Sequence, residues 1–304
     1  MAGLPASRSE NALVKLGKQV RRSIPGYTLA LPAVLAVVIF SYYPFLSGLL
    51  HSLTRWNGLR STFIGLENFR ELMQDQIFLT SFINTAKLLM AGILKTITMP
   101  ILASELVFWL RSRRLAYVFR LVFVVPLVIP EITNVLLWQH IFSYRGALNN
   151  FLMLIGRPDW RADWLGHPDT AMLSIILMGF PYISVLGFLV YLSALQGIPE
   201  ELFDAAQIDG VNWLQRVFRI DLPLIRPQII MLSILACIGA VETYFTILIL
   251  TDGGPGFSTM VPGLYLYKSA FSHMRFGFAS AIAVIMLLVS GAFTLLGIRL
   301  MKER

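Results

Sequence analysis

Five ionisable residues lie inside long apolar stretches of this sequence: Lys87, Lys95, Glu105, Glu131 and Glu242. Among them Lys95, Glu131 and Glu242 could contact a substrate, carry a proton or pair with another charge. Charged groups at membrane depth are costly and often functional. Counted along antiparallel helices, Lys95 and Glu131 lie at similar depths, which predicts a buried ion pair between them. Glu242 is interpreted as a substrate contact or as the partner of a cation, and Lys87 is expected to snorkel towards the outer surface.

The sequence lacks the residue patterns of a metal site, a nucleotide-binding P-loop and a serine nucleophile. His51, His140, His167 and His273 do not have the spacing of metal ligands and are interpreted as loop or interface residues. Gly17-Lys18 is followed by Gln19 rather than Ser or Thr, and the chain has no G-x-S-x-G sequence. We therefore predict that the chain is not an enzyme and holds no metal or cofactor of its own. The single cysteine, Cys237, is interpreted as a packing residue.

The elements that position the intramembrane residues are predicted to be membrane-spanning helices. Apolar residues make up 56% of the chain and charged residues only 14%, and a bilayer-crossing helix needs about 20 mostly apolar residues. The fold class predicted is an all-α membrane protein with six spans, at about residues 27–50, 77–106, 117–142, 171–195, 226–250 and 276–298.

The distribution of basic residues orients these spans. With the N-terminus inside, fifteen of the 25 Lys and Arg residues face inside and eight face outside, the other two lying in the second span. The positive-inside rule then places both termini in the cytoplasm, and the net charge of +8 reflects topology rather than nucleic-acid binding. The domains expected are a cytoplasmic tail at residues 1–26, the membrane domain at 27–300 and a cytoplasmic end at 301–304. The first apolar run is too long for a cleaved signal peptide.

A polar segment, residues 199–223, separates the fourth and fifth predicted spans. Pro199 suits the first position of a short helix, with Glu200 and Glu201 favourable in its first turn. Gly210 permits a sharp change of direction, and Asn212 is a suitable N-cap for a second helix that Leu222-Pro223 is expected to end. The sequence therefore predicts a helix-turn-helix on the cytoplasmic face, which by composition alone could be an amphipathic hairpin at the lipid surface.

This segment resembles the EAA loop of permease subunits of ATP-binding-cassette (ABC) importers. The loop's pattern is E-A-A, three residues, G, nine residues, I, one residue and L-P, and the chain matches it at every spacing, with Asp204 in place of Glu. The resemblance implies that the segment docks into a cleft of a cytoplasmic ATPase. The residues expected to carry this coupling are Asp204, Ala205, Ala206, Asp209, Gly210, Phe218, Leu222 and Pro223.

Other motifs resemble the carbohydrate-importing branch of the same family. They are FIGLENF from Phe63, NTAKLL from Asn84 and TDGGPGFST from Thr251. Gly179-Phe180-Pro181-Tyr182 resembles the G-Y-P-Y of maltose permeases, and Pro181 is expected to bend its helix. By this resemblance and by position in the next span, Ala236 is a cavity position, and the predicted substrate-binding residues are Met178, Gly179, Tyr182, Gly239, Ala240, Glu242, Thr243 and Tyr244.

The resemblance implies a sugar or oligosaccharide permease of the bacterial cytoplasmic membrane. Its implied partners are a second homologous permease, two cytoplasmic ATPases that bind ATP and Mg, and an external solute-binding protein. The main alternative is a proton-coupled secondary transporter that uses Glu131 or Glu242; a membrane scaffold is a third. The sequence names neither the sugar nor its charge. It also leaves open whether Arg145, Arg157 and Arg161, with Trp160 and Trp164, dock the binding protein or anchor the membrane interface.

Overall fold

The computed structural model describes residues 26–302. The predicted cytoplasmic tail therefore lies outside the described residues except for Gly26, as do Gly17-Lys18 and the final residues Glu303 and Arg304. So do several cations on which the predicted orientation depends, namely Arg8, Lys15, Lys18, Arg21 and Arg22. Within the described range the chain is mostly helical, which confirms the predicted all-α membrane class in its coarse form.

The helices are numbered here in chain order. They are α1 (Gly26–His51), α2 (Glu67–Gln74), α3 (Gln76–Ile97), α4 (Met99–Phe108), α5 (Arg113–Val124), α6 (Glu131–Phe142), α7 (Ala147–Leu154), α8 (Pro168–Leu177), α9 (Val185–Gln196), α10 (Glu200–Ile208), α11 (Trp213–Leu224), α12 (Arg226–Glu242), α13 (Phe245–Leu250), α14 (Pro262–Tyr267) and α15 (Phe276–Lys302). Helix α3 begins at Asp75, whose carboxylate accepts hydrogen bonds from the backbone N–H groups of Ile77 and Phe78 at 2.8 and 3.2 Å.

Three of the described helical stretches are long and apolar enough to cross a membrane without a sharp break. They are Gly26–His51, Gln76–Phe108 and Phe276–Lys302. Two sharply bent helix pairs raise the number to five if each pair counts as one span. The described residues thus contain three to five candidate membrane spans, and the count of six remains a prediction. Helix α12 packs against α3 and α15, while α4 packs against α9.

The third predicted span is not one continuous helix. Arg113–Val128 and Glu131–Leu154 meet at an angle of 94°. Ile129 between them is extended, with φ −77° and ψ 122°, because Pro130 disfavours helical geometry in the residue before it. The helix is therefore bent within the span predicted at residues 117–142, and those bounds remain a prediction.

The fourth and fifth predicted spans are also broken, near the predicted substrate positions. Between α8 and α9 the chain leaves the helical conformation over residues 178–184, where Pro181 lacks a backbone N–H. The expected bend is thus a complete break. Between α12 and α13, Thr243 is extended, at φ −62° and ψ 132°. A Cβ added to Gly263 would lie 2.9 Å from the Thr243 carbonyl oxygen, so α14 packs directly against this second break.

Two smaller details also differ from the sequence prediction. A short antiparallel hairpin pairs Thr54–Trp56 with Ser61–Phe63, and its turn contains Gly58 at φ +92°. Leu222-Pro223 does not end the second polar helix, which continues to Leu224. A π-helical turn at Val217–Asp221 lets the Leu222 N–H donate to the Val217 carbonyl oxygen, and Pro223 lies at the start of the helical turn that follows.

Candidate functional site

A cavity of about 360 Å³ lies between α3, the end of α8 and the C-terminal part of α12. Four of the predicted substrate-binding residues line it together: Met178, Gly239, Ala240 and Thr243. Ala236 lines it as well. A Cβ added to Gly239 would meet no described atom within 4 Å, so this glycine leaves open space on the cavity wall.

Lys95 is the charged residue among those that line this cavity. It is half-buried, and its Nζ donates a hydrogen bond to the Met178 carbonyl oxygen at 3.1 Å. The same Nζ lies 4.6 Å from the centroid of the Tyr182 ring, a cation–π contact. Sequence reasoning placed Lys95 at membrane depth but did not assign it to the cavity.

The predicted ion pair between Lys95 and Glu131 is not formed. Glu131 is exposed at the first turn of α6, where a carboxylate suits the positive end of the helix. The depth of Glu131 was predicted by counting residues along a straight helix, but the chain bends just before α6, so that count does not give the depth of Glu131. The break after α8 frees the Met178 carbonyl, which Lys95 takes as its partner instead.

The turn that presents Met178 depends on two residues with positive φ. Gly179 has φ +86° and Tyr182 has φ +64°, and the Tyr182 N–H donates to the Gly179 carbonyl oxygen at 2.7 Å. The left-handed conformation is easy for glycine and unfavourable for tyrosine. Because Tyr182 adopts this conformation, its ring lies beside the Lys95 ammonium.

Two other predicted substrate residues lie at the break after α12, outside the lining of this cavity. Glu242 is the last residue of α12 and is exposed. The Tyr244 ring stacks on the Tyr267 ring, with centroids 5.8 Å apart and planes 21° apart. Their predicted contact with substrate remains a prediction.

The polar segment forms the expected pair of short helices, α10 and α11, joined at Gly210. Gly210 has φ +68°, and the following Val211 N–H donates to the Ala206 carbonyl oxygen at 3.0 Å. Asn212 caps α11 in a reciprocal arrangement with Gln215, through bonds of 2.9 and 3.0 Å. The turn glycine and the N-cap were both correctly predicted from the residue types.

A buried arginine, which sequence reasoning missed, fixes α11 to the end of α4. Arg216 Nε donates to Asp221 Oδ2 at 3.1 Å, and the side chains are 12% and 0% exposed. Its guanidinium carbon lies 3.4 Å from the centroid of the Trp109 ring, and Trp109 contacts Phe203 of α10 edge to face. Burial raises the pKa of Asp221, and the Arg216 guanidinium opposes that shift. An arginine facing an acid five residues later was the available sequence signal.

Beside this contact lies a cleft of about 690 Å³ formed by α10, α11 and the end of α4. Of the predicted coupling residues, Asp204, Ala206 and Gly210 line the cleft. Ala206 is buried, while Ala205, Asp209 and Phe218 are exposed and Leu222 and Pro223 are half-buried. Several large apolar side chains on the same helix pair are also exposed, among them Ile208, Leu214 and Phe218. This surface has the mixed polar and apolar character of a protein-binding site.

The opposite end of the cavity helices is held by an asparagine in α3. The buried Asn84 amide donates to the carbonyl oxygens of Phe257 and Met260 at 3.2 and 3.0 Å. These two residues belong to the loop after α13, which is also closed by a 2.7 Å contact between the hydroxyls of Thr251 and Thr259. The NTAKLL and TDGGPGFST sequences are therefore parts of one contact.

The cluster of arginines and aromatic residues predicted to lie on the outer side is organised around α7. The Arg157 guanidinium lies 4.9 Å from the Trp160 ring centroid, and that of Arg161 lies 4.8 Å from the Tyr144 ring centroid. Trp164 Nε1 donates to the buried Asn149 Oδ1 at 2.9 Å. Both predicted roles, docking of a binding protein and anchoring at the interface, stay predictions. Within residues 26–302 no group of three or more His, Cys, Asp or Glu side chains is arranged to hold a metal ion.

Comparison with known proteins assigns the chain to a family. The profile described as "Binding-protein-dependent transport system inner membrane component" matches residues 96–304. The probable ABC transporter permease protein YurN of Bacillus subtilis (strain 168) is 32% identical over 283 residues, which cover 91% of this chain and 95% of that protein. The multiple sugar-binding transport system permease protein MsmF of Streptococcus mutans is 31% identical over 281 residues, with 91% and 95% covered.

The fold matches a solved transporter over nearly its whole length. A bacterial ABC transporter involved in the import of the acidic polysaccharide alginate superimposes with a TM-score of 0.81 and 25% identity, covering 95% of this chain and 100% of that chain. A second solved structure, of a bacterial alginate ABC transporter in complex with an alginate pentasaccharide-bound periplasmic protein, superimposes with the same TM-score of 0.81 and 25% identity.

The chain belongs to the family of binding-protein-dependent transport system inner membrane components. It is a permease of the ABC transporter class and a multi-pass membrane protein, which confirms the resemblance seen in its motifs. Relatives of this kind are transport subunits, so the prediction that the chain is not itself an enzyme is also confirmed.

Proposed function

We propose that this chain forms half of the membrane pathway of an ABC importer for a sugar or oligosaccharide in the bacterial cytoplasmic membrane. Its partners would be a second, homologous permease, two cytoplasmic ATPases and an external binding protein that delivers the sugar. The single observation that carries this proposal is the α10–Gly210–α11 helix pair within a chain of this family. The names of the relatives, including the multiple sugar-binding permease and the alginate importer, support a carbohydrate substrate.

The cytoplasmic surface supports the proposed coupling. Helices α10 and α11 carry exposed apolar residues and also form a cleft that is lined by Asp204 and Gly210. Arg216 and Trp109 tie α11 to α4, which directly follows the cavity helix α3. A displacement of α11 by an ATPase would therefore be transmitted to the helices around the cavity. This role requires six spans with both termini in the cytoplasm, as the basic residues predict.

The cavity supports a route for a neutral or charged carbohydrate through the membrane. Its walls combine small residues at Gly239 and Ala240 with the hydroxyl groups of Thr96 and Thr243. Polar groups beside apolar walls suit the alternating hydroxyl and C–H faces of a sugar ring. In the proposed cycle the partner ATPases hold ATP and Mg, and this chain holds neither.

The proton-coupled alternative has less support. Glu131 and Glu242 are exposed at helix ends, and the family does not require a proton-carrying residue. The coupling proposal is tested by purifying the tagged chain, expressed together with the ATPases and the second permease of its transporter. Copurification of the ATPases with the wild-type chain is expected. It should be weakened when the exposed residues Ile208 and Phe218 are both replaced by Asp, with Leu59→Asp on the hairpin turn as the matched control. Equal copurification of all three forms would contradict the proposed docking surface.

A further inference from the structure

The charge and position of Lys95 bear on the kind of carbohydrate that enters the cavity. Its side chain lines a cavity whose other lining residues carry no formal charge. No carboxylate among residues 26–302 forms an ion pair with it. Its polar contacts are the Met178 carbonyl and the face of the Tyr182 ring.

These two contacts satisfy neither all the hydrogen-bond donors of the Lys95 ammonium group nor its positive charge. A lysine ammonium has three N–H donors, and one backbone carbonyl accepts from one of them. A neutral carbonyl and an aromatic face do not neutralise a positive charge, which is costly to keep at membrane depth without a counter-charge. The remaining donors and the charge are available to a ligand in the cavity.

The groups around Lys95 also suit a carbohydrate carrying an acid. Thr96 and Thr243 line the same cavity and can bond sugar hydroxyls, and Tyr182 beside Lys95 offers an aromatic face. An anionic group placed at Lys95 would compensate the charge in a setting of lower dielectric than water, where the attraction is stronger.

We propose that the substrate is an anionic carbohydrate, such as a uronic-acid-containing oligosaccharide, and that Lys95 binds its acid group during passage. This inference rests on the proposed function as a carbohydrate importer and adds the charge of the substrate. Lys95 is thereby a specificity-determining residue, and its hydrogen bond to the Met178 carbonyl positions it at the cavity.

The first measurement identifies the substrate series. The complete complex, with its partner permease, ATPases and binding protein, is reconstituted in proteoliposomes. It is supplied with pairs of labelled oligosaccharides, each pair consisting of a hexuronate oligomer and its neutral carboxyl-reduced counterpart. ATP-dependent uptake of the anionic member is expected. Uptake confined to the neutral series would overturn the anionic inference and leave the proposed function standing. Absence of ATP-dependent uptake in both series would overturn the proposed function as well.

The second measurement tests Lys95 itself, by equilibrium binding of the transported uronate to the nanodisc complex without its binding protein. Lys95→Gln should weaken binding by about tenfold or more, the scale of a lost charged hydrogen bond, whereas Lys95→Arg should stay within about threefold because it keeps the charge. The matched control is Lys87→Gln, the same change at an exposed lysine of α3, which should leave binding unchanged.

A second variant tests the same proposal in case Lys95→Gln does not fold. Gly92 lines the same cavity one helical turn before Lys95, and a Cβ there would approach its nearest neighbour at 4.0 Å. Gly92→Asp should assemble and place a competing carboxylate beside Lys95, again weakening uronate binding. Wild-type uronate affinity in both Lys95→Gln and Gly92→Asp would overturn the assignment and make Lys95 a structural residue or a partner of the second permease.

Discussion

The Arg216 guanidinium carbon lies 3.4 Å from the centroid of the Trp109 ring, and this contact joins α11 to the residue that follows α4. The same arginine bonds Asp221, which lies in the π-helical turn of α11. Because α4 follows α3 with only Thr98 between them, the helix pair proposed to dock an ATPase is linked to a wall of the cavity.

Loss of this arginine should impair coupling and stability together. Arg216→Ala removes the ring contact and leaves the buried Asp221 without its cation, and breaking a buried pair in this way costs about 3–5 kcal/mol. We expect a lower thermal unfolding temperature of the assembled complex and loss of sugar-stimulated ATP hydrolysis. Arg216→Lys should recover little, because an ammonium cannot reproduce the planar stacking. The control is Arg219→Ala, on an exposed part of the same helix; equal behaviour of the Arg216 and Arg219 variants would refute the role of the contact.

Replacement of Gly210 should affect docking more than membrane insertion. Its φ is +68° and a Cβ there would meet no described atom within 4 Å, so the cost is conformational rather than steric. A residue with a side chain is destabilised by about 1–2 kcal/mol in this left-handed region. The cost is larger for Val than for Asn, which tolerates this conformation. Gly210→Val should reach the membrane and lose stimulated ATP hydrolysis, while Gly210→Asn should keep most of it. Full stimulation in Gly210→Val would show that the turn geometry does not matter for coupling.

Filling the cavity should block transport without disturbing assembly. Gly239→Leu projects a side chain into space where no described atom lies within 4 Å, so the helix is not forced apart. We expect sugar uptake to fall by more than about tenfold, because the leucine side chain would occupy space in the cavity that the substrate needs. Gly291→Leu is the matched control: this α15 glycine also has open space around it and does not line the cavity. Uptake that is equal in both variants would remove Gly239 from the pathway.

Asn84 should be important for stability on the outer side. Its amide donates to two carbonyl oxygens of the loop after α13, and leaving such groups unsatisfied costs about 1–3 kcal/mol. Asn84→Ala is expected to lower the thermal unfolding temperature and to expose the Phe257–Met260 segment to protease. Asn150→Ala, at an exposed asparagine of α7, should change neither. An Asn84 variant as stable and as protease-resistant as the control would contradict this.

The helix pair α10–α11 could be predicted closely because its signals are local. Gly210 supplies a positive φ, and Asn212 caps the helix that follows it. Both properties follow from the residue itself and its immediate neighbours. Where one residue's conformational preference decides the structure, the sequence is sufficient.

Contacts between distant segments could not be predicted in this way. The pairing of Lys95 with Glu131 was inferred only from their predicted depths in the membrane. Depth does not specify which way a side chain faces around its helix or where the helix is broken. Pro181 was expected to bend one helix, but the chain leaves the helix over residues 178–184 and so presents the Met178 carbonyl to Lys95. The contact of Arg216 with Trp109 likewise depends on how α4 and α11 pack, which no local pattern specifies.

The most direct test of the central claim is uptake of sugar into proteoliposomes that contain the whole complex, with ATP supplied on the ATPase side. An ionophore collapses the proton gradient, and Glu131→Gln and Glu242→Gln variants are measured beside the wild type. An ABC permease predicts that uptake persists without the gradient, stops when ATP is withheld and survives both substitutions, with Glu242→Gln altering sugar preference more than Glu131→Gln. Uptake that is abolished by the ionophore while ATP is present, and abolished equally by either Gln variant, would contradict the account and establish a proton-coupled carrier.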